Sequence, residues 1–253
     1  QMLRHFRRRN PNAVIALTGC YPQAFPDKAS AFMEADVVTG TADRAQLLPA
    51  VLDALDGKRV VHVSPHSEGE GFEPMQAEGM LDRTRAFVKI EDGCDNSCSY
   101  CIIPKARGHV RSKPLKDLER ELESLVSKGY NEVVLSGINL PFYGRDIGIS
   151  LIDAVELACD IVPRVRLSSL EPELLKREDI ERLAKLAEFC PQFHLSLQSG
   201  CDKTLLRMNR KYTPAQFKGI VDGLRAAFDD VAITTDIMVG FPAETDEEFN
   251  ATV

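Results

Sequence analysis

No stretch of the sequence stays apolar over the roughly 18–20 residues that a membrane-spanning helix requires, which excludes one. No leader is visible: residues 1–10 are basic, but no apolar core and small-residue cleavage site follow them. Positive charge is not in surplus either. The 31 Lys and Arg stand against 38 Asp and Glu, a formal net charge of −7. That speaks against a general nucleic-acid coat, which would be basic over a whole face, yet leaves room for a specific RNA held by a local basic patch. The cysteines number seven and cannot all pair. Without a secretion signal, an odd count points away from a disulfide framework and toward metal binding or burial. The expected location is the cytoplasm, with no membrane partner.

What is present reads as a soluble globular chain. Of 253 residues, 44% are hydrophobic and 27% charged, enough for one sizeable domain plus a smaller or incomplete partner. The chain starts at Gln1 and stops at Val253 within a helical pattern, so we expect a piece of a longer protein.

Three regions differ in texture. Residues 1–61 mix short β-rich runs, at 13–19 and 35–40, with a helical pattern. That helix would be capped by Asp43, carry Leu47, Leu48, Val51, Leu52 and Leu55, and stop at Gly57. This is part of a small α/β layer. Residues 62–84 show no period and carry Pro65, Gly69, Gly71, Pro74 and Gly79, the composition of a linker. Residues 85–253 repeat a strand–helix unit five times. Strands are expected near 86–92, 132–137, 164–170, 193–199 and 231–240, and helices near 114–128, 151–160, 179–189, 214–228 and from 246. Such alternation predicts an α/β fold with parallel strands and helices outside, a partial TIM-type (β/α) barrel. In such barrels chemistry sits at the C-terminal strand ends, here Gly93, Gly137, Glu171, Ser199 and Gly240 with their loops.

The decisive segment is DGCDNSCSYCIIP, which places Cys94, Cys98 and Cys101 at Cys-x3-Cys-x2-Cys spacing in the loop after the first of these strands. Thiolates are soft ligands suited to iron–sulfur clusters and zinc. Three on one loop can hold three irons of a 4Fe-4S cube and leave the fourth open to a small molecule. A structural zinc usually needs four ligands; His109 is the nearest further candidate, at an unusual distance. Three core cysteines brought together by chance are a poorer account of a Gly-, Asp- and Asn-rich loop.

This loop, placed after the first strand of a parallel α/β barrel, resembles that of the radical S-adenosylmethionine (SAM) superfamily. The resemblance implies that the open iron chelates the amino and carboxylate groups of SAM, and that reduction yields a 5′-deoxyadenosyl radical. FVKIEDGCDNSCSYCIIPKARGHVRSKP, HLSLQSG, RMNRKYT and DIMVGFPAETDEEF narrow the resemblance to the methylthiotransferase branch. LTGCYPQ resembles the end of that branch's N-terminal domain, where three cysteines hold a second, auxiliary 4Fe-4S cluster. Cys20 matches the third of them, and the other two would precede Gln1. The last barrel strand and the branch's RNA-binding β-domain would follow Val253.

RLSSLEP, IIPKARG and RKYT resemble the group acting on threonylcarbamoyladenosine in tRNA. Two further groups, acting on isopentenyladenosine in tRNA and on a ribosomal-protein aspartate, are the alternatives. A non-catalytic zinc- or cluster-binding interaction module is the alternative of another kind. The implied reaction places a methylthio group on C2 of the modified adenosine beside the anticodon, so the implied partners are a tRNA anticodon loop, an electron donor such as flavodoxin or ferredoxin, and a sulfur donor.

Further residues carry roles that the resemblance implies. Ser136 and Gly137 would meet the SAM amino group through backbone, although Gly137 is equally a strand-end turn. Glu171 would contact substrate or SAM, unless it is a solvated loop residue. Gln198 and Ser199 would face the barrel mouth. Arg210 would meet the SAM carboxylate, or else lie solvated beside Arg207 and Lys211. Val239, Gly240 and Tyr100 would flank the adenine. Lys105, Arg107, His109, Arg111 and Lys113 would meet RNA phosphates. The run Arg4, Arg7, Arg8 and Arg9 is either a second such patch or a solvated helix face. Cys159 reads as core; Cys190 and Cys201 read either way.

Overall fold

A computed structural model describes residues 1–42, 44–74, 84–172 and 175–253. Asp43, the expected helix cap, and residues 75–83 of the expected linker lie outside the described residues. The chain forms two compact units. The first comprises Gln1–Glu70, Cys94–Asn96 and Cys101–His109; the second comprises Gly71–Gly93, Ser97–Tyr100 and Val110–Val253. The cysteine loop therefore contributes residues to both.

The first unit runs α1 (Met2–Arg9), β1 (Ala16–Thr18), α2 (Cys20–Ala24), α3 (Pro26–Ser30), β2 (Val37–Thr39), α4 (Leu47–Leu55) and β3 (Val60–His62), with α5 (Ile103–Arg107) from the cysteine loop. Its sheet is parallel in the order β1-β2-β3, in register Leu17↔Val38↔Val61. All of β2 is buried, as its continuous apolar run Val37-Val38 demands of a central strand. α4 buries only part of the face that the spacing suggests: Leu47 and Val51 pack partly buried against the core. Ala50 and Ala54 pack on Val37 between them, because small side chains allow the helix closest to the strand. Leu48, Leu52 and Leu55 remain 67%, 55% and 67% exposed. Arg7 belongs to the scaffold: its guanidinium bonds Asp36 at 2.5 Å and the carbonyls of Pro11, Ala13 and Glu34.

The second unit is the alternating one. It runs β4 (Ala86–Lys89), β5 (Glu91–Asp92), β6 (Arg111–Ser112), α6 (Leu115–Ser127), β7 (Val133–Ser136), α7 (Leu151–Ile161), β8 (Val165–Leu167), α8 (Arg177–Leu183), β9 (Gln192–His194), α9 (Asp202–Arg207), α10 (Pro214–Ala227), β10 (Ala232–Thr234) and α11 (Asp246–Thr252). Strands β4, β7 and β8 form one parallel sheet, and β9 pairs in parallel with β10. Single parallel bridges, Val165↔Phe189, Leu170↔Leu195 and Gln198↔Ile237, continue the pairing past the regular strands. Among the described residues no closed barrel forms. One core holds the layers together: Leu118, Leu122 and Leu125 of α6 and Ala154, Val155 and Ala158 of α7 meet Val88, Val133, Leu135 and Val165 of the sheet. Each fully buried leucine contributes roughly 1.5–3 kcal/mol.

Sequence caps fix the helix starts. Ser150 with Asp153, Thr213 with Gln216 and Thr245 with Glu248 form reciprocal capping boxes on α7, α10 and α11. Two elements differ from expectation. The helix expected over 179–189 begins earlier, at Arg177, and ends at Leu183, after which Phe189 is drawn into the core beside Phe193 and Phe228. The run 86–92 is not one strand: it breaks at Ile90, and β5 turns to pair antiparallel with β6.

Candidate cluster and cofactor site

That break presents the cysteine loop. Glu91 pairs with Ser112 and Asp92 with Arg111, so the two-residue ladder of β5 and β6 closes the base of an excursion over residues 93–110. Cys94, Cys98 and Cys101 all lie within it, and none of the three is in a disulfide. Cys94 is buried, and Cys98 and Cys101 are half-buried. Within the first unit the Cys94 amide donates to the Gly108 carbonyl at 3.1 Å. The Ile103 amide donates to Cys101 Sγ at 3.4 Å.

Within the second unit, the middle of the loop is pinned by residues 207–210. The Ser99 amide donates to Met208 O at 3.0 Å, and its hydroxyl to Arg207 O at 2.8 Å. Asn209 Nδ2 donates to both Ser97 O (2.7 Å) and Ser97 Oγ (2.9 Å). Asn209 does this from a left-handed backbone, φ 57°, which asparagine tolerates better than most residues. Arg210 Nη1 then reaches Cys98 Sγ at 3.2 Å.

Arg210 is not solvated. Its side chain is 5% exposed and pairs with Glu171 at 2.7 Å, while its Nε donates to Tyr212 Oη at 3.2 Å. Tyr212 in turn donates to the carbonyls of Ser196 and Leu197. Arg210 Nη2 is buried with no hydrogen-bond partner. A bare guanidinium nitrogen in such a place is costly unless an anionic or carbonyl ligand completes it.

The other strand ends carry a matching set. After β7, Gly137 has no room for a side chain, since a Cβ there would sit 2.6 Å from Glu91 Oε2. Ser136 hydrogen-bonds Val88 O through its hydroxyl, and the Ser168 hydroxyl, just past β8, is buried without a partner. Gln198 adopts φ 64°, a strained value for a non-glycine residue, at the bridge to Ile237. Tyr100 lies edge-on to Phe241, centroids 6.1 Å apart, next to the exposed Val239 and Gly240. Glu91, Asn209 and Tyr212 are participants that spacing did not single out. Glu91 carried one signal: a carboxylate where the strand pattern stops alternating, just before the cysteine loop.

Some expected residues are placed elsewhere. The Ser199 hydroxyl is taken up by Thr252 and the Cys201 amide. Arg111 and Lys113 are buried rather than offered to phosphates. Arg111 lies 4.0 Å from Asp92, and Lys113 pairs with the equally buried Glu121. Desolvating those cations is affordable only against a carboxylate, which removes them from any RNA-facing surface. Lys105 and His109 remain exposed. In the first unit Cys20 opens α2, and Arg107 Nε donates to its sulfur at 3.2 Å. Cys159 is core, its thiol pushed up to about 12 by burial and nearby Glu188, Asp160 and Glu156. Cys190 is buried and accepts from Arg164.

The donor chemistry fits a 4Fe-4S cluster with SAM. Among the described residues no three His, Cys, Asp or Glu side chains converge on one metal ion. A cube needs no such point, because each thiolate binds a different iron. Three cysteines on one loop outside any disulfide, a bare buried guanidinium nitrogen and a glycine with no space for Cβ are the features such a cofactor pair uses. Among the described residues no helix is long and apolar enough to cross a membrane.

Comparison with known proteins agrees with this chemistry. The chain is 42% identical, over its whole length, to the threonylcarbamoyladenosine tRNA methylthiotransferase MtaB of Thermotoga maritima, covering 58% of that protein. It is 34% identical over 99% of its length to a tRNA-2-methylthio-N(6)-dimethylallyladenosine synthase of Dictyoglomus thermophilum, again covering 58%. The chain thus spans less than two thirds of these relatives. Its fold is similar to that of the radical SAM methyltransferase TsrM from Kitasatospora setae, solved with cobalamin and a [4Fe-4S] cluster, at TM-score 0.71 and 15% identity. That alignment covers all of this chain and 56% of the other. The radical SAM superfamily model matches residues 88–253, the stretch that carries the three-cysteine loop and every strand end described above, and the chain accordingly belongs to the radical SAM superfamily.

Proposed function

We propose that the chain is the cluster- and SAM-binding part of a tRNA methylthiotransferase acting at C2 of threonylcarbamoyladenosine beside the anticodon. The observation that carries this reading is the Cys94–Cys98–Cys101 loop, closed at its base by β5 and β6 and pinned by residues 207–210, in a chain 42% identical to an enzyme named for that activity. A second reading, isopentenyladenosine as the modified base, rests on the relative at 34% identity.

In this reading the bound cluster and SAM supply a 5′-deoxyadenosyl radical, strong enough to take hydrogen from an unactivated ring carbon. The protein binds and orients. Cys94, Cys98 and Cys101 ligate three irons. Arg210 turns its bare Nη2 to the SAM carboxylate, and Glu171 holds that guanidinium in place. Ser136 and Gly137 face the amino group through backbone. Tyr100, Val239 and Gly240 flank the adenine, and Gln198 shapes the mouth. Cys20 is one ligand of an auxiliary cluster. Lys105 and His109 meet anticodon-loop phosphates. An electron donor such as flavodoxin or ferredoxin, a sulfur donor and a cytoplasmic location complete the proposal.

The test is mass spectrometry of tRNA nucleosides from cells that lack the endogenous enzyme and carry the full-length gene. The 2-methylthio derivative of threonylcarbamoyladenosine supports the reading; that of isopentenyladenosine replaces the substrate. Cys98→Ala should lose the SAM-dependent cluster and SAM cleavage. Stoichiometric zinc with no SAM cleavage by the wild type would identify a binding module instead.

A further inference from the structure

Glu91 has the profile of a working residue to which the motifs assign no role. It is fully buried as the first residue of β5, just past the end of the parallel strand β4 at Lys89. Its Oε2 accepts the Asn139 amide at 2.8 Å, in the turn that follows β7. Its Oε1 is buried with no hydrogen-bond partner. The fit around Gly137 is equally close: a Cβ on that glycine would stand 2.6 Å from Oε2, 3.0 Å from Glu91 Cβ and 3.0 Å from Leu140 Cδ2. So the carboxyl lies directly beneath the Gly137 backbone and holds its turn from below.

Core packing does not account for this arrangement. A buried carboxyl with one bare oxygen destabilises the fold, and an apolar residue would fill the space at less cost. What an apolar residue would not supply is an acceptor that fixes the height and tilt of residues 137–139. We propose that Glu91 is a positioning residue: through its hydrogen bond to Asn139 and its contact under Gly137 it sets the backbone that receives the amino end of SAM. This rests on the reading of the chain as a SAM-binding protein. Glu91 need not touch SAM; it acts through the turn.

The test uses the full-length protein with its clusters reconstituted anaerobically. The SAM dissociation constant is measured by equilibrium binding, and the spectroscopic change that SAM causes at the reduced cluster is recorded alongside. Glu91→Ala should bind SAM about tenfold or more weakly, with unchanged iron and sulfide content. Glu91→Gln keeps an acceptor for the Asn139 amide and should stay within about twofold of wild type. Gly137→Ala should lose affinity as Glu91→Ala does, since the added methyl displaces the same carboxyl. Wild-type affinity in Glu91→Ala, or a Gln variant as weak as the Ala variant with intact clusters, overturns the proposal. If Glu91→Ala does not fold, Glu91→Leu, which fills the space without an acceptor, decides: loss of SAM affinity with full iron content supports the role, and unchanged affinity refutes it. A wild-type protein whose cluster does not respond to SAM refutes the underlying reading instead, and is told apart by that control.

Discussion

The guanidinium of Arg210 lies 3.2 Å from the sulfur of Cys98, and the same nitrogen is 2.7 Å from a Glu171 oxygen. A cation is thereby held against the middle thiol of the loop, the proposed ligand, and its own position is set by a carboxylate. Placement of this kind around a ligand tunes the metal as well as orienting the thiolate.

Glu171 and Arg210 form a pair with side chains 14% and 5% exposed, so removing one partner strands the other. Glu171→Ala should destabilise the protein by about 3–5 kcal/mol in urea unfolding, whereas the double variant Glu171→Ala/Arg210→Met should recover most of that loss. A single variant as stable as wild type would show the pair to be hydrated in solution.

Glu91 makes stability fall with alkalinity. Burial, helped by neighbouring Asp92 and opposed by the Asn139 hydrogen bond and Arg111, pushes its carboxyl up to about 8. Between the unfolded value near 4.5 and this one, the folded state holds a proton that the unfolded chain has released. Its contribution is intact at the acid end of that window and lost toward the other. Glu91→Gln carries no such proton, so its Tm relative to wild type should rise steadily from pH 5 to pH 8. A pH-independent difference would contradict the shift.

Lys113 and Glu121 should matter to folding and not to RNA. Their side chains are 3% and 2% exposed. Glu121→Gln should cost several kcal/mol in unfolding experiments, and Lys113→Met/Glu121→Leu should restore stability. That double variant should also leave the salt dependence of tRNA binding by the full-length protein unchanged. Lys105→Ala, by contrast, should lower the slope of log K against log salt by about 1.

Asn209 fastens the loop through Ser97. Asn209→Ala loses both bonds to Ser97, and the one accepted from Lys211, and places a less tolerant residue at a left-handed position. Amide hydrogen exchange at residues 97–100 should accelerate by about tenfold or more, with little change in the core amides of α6 and α7. Equal acceleration throughout would mean that the loop and the core open together.

Much of the scaffold could be read from the residues. Alternation of β-branched runs with 3.6-period patterns located β7, β8 and α7, and the helix starts expected at 151, 214 and 246 are the ones observed, behind the caps Ser150, Thr213 and Thr245. Cysteine spacing located the loop. What stayed hidden depends on partners far away in the chain. Nothing local distinguishes Lys113, buried against Glu121, from Lys105, exposed in the same basic run. Leu48, Leu52 and Leu55 looked like a buried face because hydrophobicity alone does not reveal that Ala50 and Ala54 allow closer packing. Glu91 is not legible because a carboxylate in a strand ordinarily signals the solvent side.

The clasp on the cysteine loop also sets a timetable for synthesis. Ser97 and Cys98 are each secured by a side chain 112 residues further along the chain. At roughly 5–20 residues per second, a ribosome delivers Asn209 and Arg210 about 6–20 seconds after the cysteines. Until then the three thiols belong to an unfastened nascent segment, open to oxidation and to stray metals. A cell making this protein must keep those thiols reduced through that interval, which makes soluble yield under air a property of the chain's topology as much as of its cluster chemistry.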